Sequence, residues 1–432
     1  MSFPAGFVWG AATAAHQLEG GNWNSDCWAL EHAKPSFFAE PSADACDHAA
    51  RYGDDIAVLA ALGLNAYRFS IEWARVEPEE GAFSQPALDH YKRVIDACWS
   101  RNVQPVATFH HFTNPRWVTR DGGWNDDRFP DRFARYCDVA AGELAGELAS
   151  ACTINEINLP DSLGELMLRV KAKHPDRVAA AEQALGAPVE SFFLFAGSET
   201  YARRASRAHV LARDAIKAAA PHVPVGMTMS IQECEAEPVE TAQAAMRAYK
   251  QRVYAPYYEL AKQDDFLGVQ TYTRTLFGAD GRASRRPPSG AEVTQMGYEY
   301  RPQALGAACR DAWAATRTPI LVTESGIATK DDARRRAFIR EALGSVAAAI
   351  ADGVDIRGYV YWTLLDNFEW MSGYAPLFGL VGVDRRTQAR AIKPSAVMLG
   401  QIARANSLDA GASEADFALS TSGAAVGLGV NG

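Results

Sequence analysis

The sequence predicts a single-domain α/β chain folded as a (β/α)8 TIM barrel. Three observations predict it. Eight short apolar, β-rich runs recur along the 432 residues. Longer Ala/Leu/Arg-rich segments with helical period separate them, which implies βαβ units and a parallel sheet. No GxGxxG or GxxxxGK loop follows the first run, although an open doubly wound sheet would advertise one there.

In chain order, the runs are Phe7–Ala12, Leu64–Ser70, Val103–Phe109, Ala151–Asn155, Val223–Met229, Phe266–Thr271, Pro319–Thr323 and Tyr359–Thr363. Helical period marks Asp54–Leu62, Ala87–Arg101, Arg132–Leu148, Tyr201–Ala219 and Asp331–Ala351. Arg282–Glu292, with its Arg-Arg-Pro-Pro-Ser-Gly core, reads as an exposed loop after the sixth strand. No linker divides the chain, so residues 1–405 read as the barrel domain. From Asn406 the composition shifts to Ala, Ser, Gly and Asp, and residues 406–432 read as a weakly structured tail.

Hydrophobic content of 48% with 22% charged residues is that of an ordinary soluble enzyme, and a net charge of -9 argues against a nucleic-acid partner. The seven cysteines are odd in number and form no CxxC or Cys/His cluster, which points to reduced thiols in a cytoplasmic protein. The N-terminus lacks a basic, apolar leader, and no stretch is long enough to span a membrane. His110-His111 is no metal pair, because neighbours in a strand point to opposite faces. Neither a metal nor a cofactor is expected.

Two of the runs end in glutamate: Ala151-Cys152-Thr153-Ile154-Asn155-Glu156 and Pro319-Ile320-Leu321-Val322-Thr323-Glu324-Ser325-Gly326. In a barrel of this kind, the C-terminal ends of the strands carry the active site. Glu156 and Glu324 would emerge from the fourth and seventh strands, on opposite sides of the mouth. A pair of carboxyl groups across one pocket is what glycosidic cleavage needs, one protonating the leaving oxygen while the other acts at the anomeric carbon. Each glutamate alone would serve equally well as a structural ion-pair partner.

From Phe3 to about Ser395 the chain resembles the family 1 glycoside hydrolases, the β-glucosidase family. The matching segments are Phe7-Val8-Trp9-Gly10-Ala11-Ala12-Thr13-Ala14-Ala15-His16-Gln17-Leu18-Glu19-Gly20, Thr153-Ile154-Asn155-Glu156, Val322-Thr323-Glu324-Ser325-Gly326 and Tyr361-Trp362-Thr363-Leu364-Leu365-Asp366-Asn367-Phe368-Glu369-Trp370. The resemblance implies a retaining exo-β-glycosidase acting on β-glucosides, with some β-galactoside or β-fucoside activity. Glu324 would attack the anomeric carbon and Glu156 would act as acid, then base, with carboxyl groups roughly 5–5.5 Å apart. It further implies that Asn155 holds the sugar 2-hydroxyl and that Arg68 and Tyr272 keep Glu324 ionised. Gln17, His111 and Glu369 would bind the 3-, 4- and 6-hydroxyls, with Trp362 as an apolar floor and the Trp370 indole near the 3-hydroxyl. A Glu369 carboxylate there would repel a 6-phosphate and favour unphosphorylated sugars. Trp9 and Trp73 read as filling.

The chain departs from the family pattern at several points. Ile157 stands where the family has proline, which frees the backbone after Glu156 and lets the loop Asn158–Gly164 take another path. Phe112 replaces a tryptophan, Gln270 replaces an asparagine at doubtful reach, and Tyr298 replaces the tryptophan that stacks on the aglycone. The implied partner is a small-molecule β-glycoside, with self-association into a homo-oligomer left open. A transglycosylase using the same intermediate and a non-catalytic carbohydrate-binding barrel are the alternatives.

Overall fold

A computed structural model describes residues 1–284 and 286–410. Eight strands close into a parallel barrel. They are β1 (Val8–Ala12), β2 (Ala66–Ser70), β3 (Gln104–His110), β4 (Ser150–Ile154), β5 (Val225–Ser230), β6 (Phe266–Gln270), β7 (Ile320–Glu324) and β8 (Ile356–Trp362). Each coincides with one of the expected runs to within a few residues. Consecutive strands are neighbours, and β1 pairs with β8 to close the ring, Ala12 standing opposite Trp362. Between β4 and β7 lie β5 and β6 on one side and four strands on the other, so their ends face across the mouth.

Alternation along the strands sorts the side chains into two cores. Ala66, Val106, Cys152, Leu321, Val360 and Trp362 fill the barrel interior. Their neighbours Tyr67, Ala107, Val322, Tyr359 and Tyr361 face the surrounding helices. The expected helices are present: four start two to six residues earlier than the periodicity implies, and the fifth starts at Asp332, with Asp331 as its cap. Ser198 Oγ accepts from Tyr201 N to open Glu199–Ala219, and Asp331 accepts from Ala333 N and Arg334 N to open Asp332–Ala351. Trp9 and Trp73 are fully buried filling, as expected. No helix among the described residues is long and apolar enough to cross a membrane.

Three stretches differ from expectation. Asn158–Gly164 is not a loop: Asn158 caps a helix spanning Leu159–Lys173, with proline in its first turn, and a second helix, Pro175–Leu185, follows. The described residues of Arg282–Glu292 are mostly exposed, but Ala283–Ser284 pairs antiparallel with Arg274–Phe277. Of the expected tail, Asn406–Ala410 pack against the N-terminus. Asn406 Oδ1 accepts from the Trp9 indole at 3.0 Å, and Leu408 N donates to Met1 O at 2.9 Å. The rest of that tail, residues 411–432, lies outside the described residues.

Gly326 shows how tightly β7 and β8 meet at the mouth. A Cβ there would lie 2.0 Å from Trp362 O. Neither backbone can yield without moving Glu324 or Trp362, so Gly326→Ala should lower unfolding free energy by about 1–3 kcal/mol. Urea denaturation of the purified variant checks this.

Candidate active site

The floor of the mouth is built around Arg68, which β2 points into the barrel with no exposed surface. Its Nη1 donates to Glu324 Oε1 at 2.6 Å, its Nη2 to Asn155 Oδ1 at 2.5 Å, and its Nε to Thr108 Oγ1 at 3.1 Å. One guanidinium thus ties the ends of β2, β3, β4 and β7. Tyr272 OH donates to the other Glu324 oxygen at 2.7 Å. Burial pushes the Glu324 carboxyl above its ordinary value, and the Arg68 charge and Tyr272 hydroxyl pull against that by favouring the ionised form.

Asn155 is oriented by its neighbours. Its Oδ1 also accepts from Gln270 Nε2 at 2.9 Å and Thr228 Oγ1 at 3.2 Å, so three donors converge on it. The amide nitrogen must then face His111, donating to Nε2 at 3.2 Å. The proton of His111 therefore sits on Nδ1, which is buried and has no hydrogen-bond partner among the described residues. Burial, with help from the Arg68 and His110 charges, pushes His111 well below the ordinary histidine value, so the ring is neutral. His110 points the other way, as expected, and meets Asn114 Oδ1 at 3.0 Å.

Glu369 and Gln17 form the opposite wall. Gln17 Nε2 donates to Phe368 O at 2.6 Å and lies 3.4 Å from Glu369 Oε2, which leaves Gln17 Oε1 buried without a partner among the described residues. Burial, then the Glu324 charge, pushes Glu369 up to about 8. A value there leaves the carboxyl largely protonated at neutral pH, which weakens the charge repulsion of a phosphate expected of it. Trp370 stacks between His16 (5.8 Å, 7°) and His111 (6.0 Å, 16°), and Trp362 stacks on His111 at 5.7 Å.

These residues surround a cavity of about 350 Å³ lined by Glu156, Glu324, His111, Tyr272, Tyr298, Trp362, Glu369 and Trp370. Gln17, Asn155 and Arg68 stand immediately behind that lining. The residues singled out in the sequence therefore converge on one place.

Glu156 reaches the cavity through a left-handed backbone, φ 45°. β5 holds it there: Thr228 Oγ1 accepts from Glu156 N at 2.9 Å, and Thr228 O accepts from Ile157 N at 3.0 Å. Asn158 adds both side-chain bonds to the Ser230 backbone at 2.8 Å. Ile157 thus does not loosen the segment as expected. Its N–H donates to Thr228 O, which a proline could not do.

Sequence reasoning missed the helix Leu159–Lys173, whose Leu159, Leu163, Leu166 and Met167 line the cavity. Their i, i+4, i+7, i+8 spacing was the available signal. It also missed Gln232, whose Oε1 accepts from Tyr272 N at 3.2 Å and Thr273 N at 3.0 Å. Gln270 reaches Asn155 and not the cavity lining. Among the described residues, His16, Cys27 and Glu31 bring metal-type donor atoms within 4.8 Å of one another. They are buried away from the cavity, with His16 Nε2 3.4 Å from Glu31 Oε2 and Ser42 Oγ donating to Glu31 Oε1 at 2.7 Å.

A parallel eight-stranded barrel that sets two carboxyl groups over one cavity, at the C-terminal ends of β4 and β7, has the build of a glycoside hydrolase. The model of glycosyl hydrolase family 1 matches residues 1–255 and 255–408. The crystal structure of the β-glycosidase BGL167 is 47% identical, covers 94% of this chain and 98% of its own, and superimposes with a TM-score of 0.88. Thermostable β-glucosidase B of Thermobispora bispora is 30% identical over 94% of this chain and 92% of its own length. A bifunctional β-D-glucosidase/β-D-fucosidase of Bifidobacterium breve is 28% identical over 91% and 96%. The chain belongs to glycosyl hydrolase family 1.

Arg68→Met removes one partner of a buried ion pair and should lower unfolding free energy by about 3–5 kcal/mol. It should also move the acidic limb of kcat/KM to higher pH, since Glu324 loses the charge that favours its ionised form. Denaturant titration and a pH–rate profile read the two effects. For Glu369 the folded value of about 8 exceeds the ordinary 4.5, so folding takes up a proton between them. Stability then falls as pH rises through that window and levels off above it. The urea midpoint should drop from about pH 5 to about pH 8, and less steeply in Glu369→Gln.

Proposed function

We propose that the protein is a retaining exo-β-glycosidase that hydrolyses unphosphorylated β-glucosides through a covalent glycosyl-enzyme. The observation that carries this is the pair Glu156 and Glu324 lining one cavity from two strand ends, with Glu324 bound to Arg68 and Tyr272. Those two bonds support Glu324 as the anionic member of the pair. Glu324 is the nucleophile, and its oxygens are aimed and kept anionic by Arg68 and Tyr272. Glu156 protonates the leaving oxygen and then takes a proton from the incoming water.

The sugar is recognised by polar groups that the fold leaves waiting. The His111 Nδ1–H is a buried donor and Gln17 Oε1 a buried acceptor, each without a protein partner among the described residues. Such groups are stabilised by a hydroxyl-bearing ligand and reject an analogue that lacks the hydroxyl. Asn155 keeps its second amide hydrogen for the 2-hydroxyl, since its oxygen is fully engaged. Glu369, protonated at neutral pH, can donate to a 4- or 6-hydroxyl and accept from another. The preference for unphosphorylated sugars is supported by the lining: among the described residues it contains neither Lys nor Arg, and His111 is neutral. The relatives named for β-glucosidase and β-fucosidase activity support glucose and fucose as the glycone.

On a chromogenic β-glucoside, Glu156→Ala should lower kcat by about 10²–10⁴-fold, and Glu324→Gln by at least as much. Azide should restore turnover to Glu156→Ala and give the β-glycosyl azide. An α-azide would rule out retention, and wild-type turnover in both variants would sink the assignment.

A further inference from the structure

The helix Leu159–Lys173 enters the mouth directly after Glu156, the group assigned to the leaving oxygen. Leu159, Leu163, Leu166 and Met167 lie on one of its faces, and all of them line the cavity. An apolar helix face of this kind ordinarily packs into a core. Here Leu166 remains 50% exposed, while Leu159 and Met167 are buried. Leu163 and Leu166 also line an adjoining cleft of about 1040 Å³, so the cavity continues outward over these two leucines. From Leu159 to Leu166 the face runs about 10 Å along the helix axis.

Gln232, which also lines the cavity, has its amide occupied within the protein. Gln232 Oε1 accepts from two backbone amides, and its Nε2 donates to Ser230 Oγ at 3.2 Å. Along Leu159, Leu163, Leu166 and Met167 the leaving-group side thus presents aliphatic surface, while charged side chains such as Glu165, Arg169 and Arg252 line the outer cleft. A second sugar would surrender water from its hydroxyls there with few replacements, whereas an alkyl chain would gain by leaving water.

We propose that this helix is an aglycone platform that selects β-glucosides of extended apolar alcohols over β-linked disaccharides. The proposal rests on the glycosidase reading above and adds the leaving-group class to it. Leu163 and Leu166 are the specificity-determining residues, and their action is on the transition state's apolar tail and not on the reacting atoms.

The test compares glucose release by the full chain from ethyl β-glucoside, from octyl β-glucoside below its micellar concentration, and from cellobiose. Ethyl and octyl share an alkoxide leaving group, so their ratio isolates the apolar tail. The wild type should show a kcat/KM for octyl at least about tenfold above that for ethyl, and also above that for cellobiose. Leu163→Ser with Leu166→Ser should lower the octyl-to-ethyl ratio about tenfold, chiefly through KM. A general folding defect would depress both substrates together and leave the ratio unmoved. Leu168→Ser serves as the control, since Leu168 is on the same helix, 61% exposed and outside the lining; its ratio should match wild type. Cellobiose turned over as well as octyl glucoside, or a ratio untouched by the double substitution, overturns the proposal while the glycosidase reading stands. Failure to release glucose from any of the three overturns both.

Discussion

A guanidinium with no exposed surface stands inside this barrel, and the mouth is organised by how its charge is met. Arg68 cannot be deprotonated to relieve the penalty of burial, so the fold must surround it with acceptors. It does so from three strands, with Glu324 carrying the compensating charge and Asn155 and Thr108 supplying neutral oxygens. The same bonds set the positions of the groups that matter for the sugar. Glu324 is aimed, and the Arg68 charge favours its ionised form against the effect of burial. Asn155 is turned so that its nitrogen meets His111, and that contact in turn places the histidine proton on Nδ1. An ion pair of this kind contributes little net stability by itself, but losing either partner leaves a buried charge unpaired. Its value lies in the single arrangement it permits.

The two carboxyl groups differ in how they are held. Glu324 is fixed through its side chain by charge. Glu156 is fixed through its backbone, in a left-handed turn clamped to β5 by Thr228 and Asn158. Such backbone persists only where surrounding bonds over-determine it. The helix that follows inherits its starting direction from that turn, which is why an apolar face lines the same cavity as Glu156.

Much of this was legible beforehand, and the parts share a cause. The eight strands are buried runs with abrupt ends, and local composition marks such runs well. Glu156 and Glu324 were legible because each terminates a run. Asn158–Gly164 was misread because a polar and proline-containing start looks like a loop, although proline in the first turn is equally a helix opening. Ile157 was read as a loss of constraint, since nothing local reveals that its N–H finds Thr228, 71 positions further along the chain. The Glu369 carboxyl was expected to be charged, because burial beside a second carboxylate is a property of the assembled mouth.

The sequence by itself determined the strand–helix alternation, the order of the strands and which residues stand at their ends, since these depend on short-range patterning and on the closure that eight such units favour. Only the tertiary structure decided what those residues are chemically: which nitrogen of His111 bears the proton, that Glu369 holds its own to about pH 8, and that Gln17 keeps an acceptor free. The physical reason is that protonation and hydrogen-bond direction depend on partners and on the exclusion of water, and those partners come from strands hundreds of residues apart.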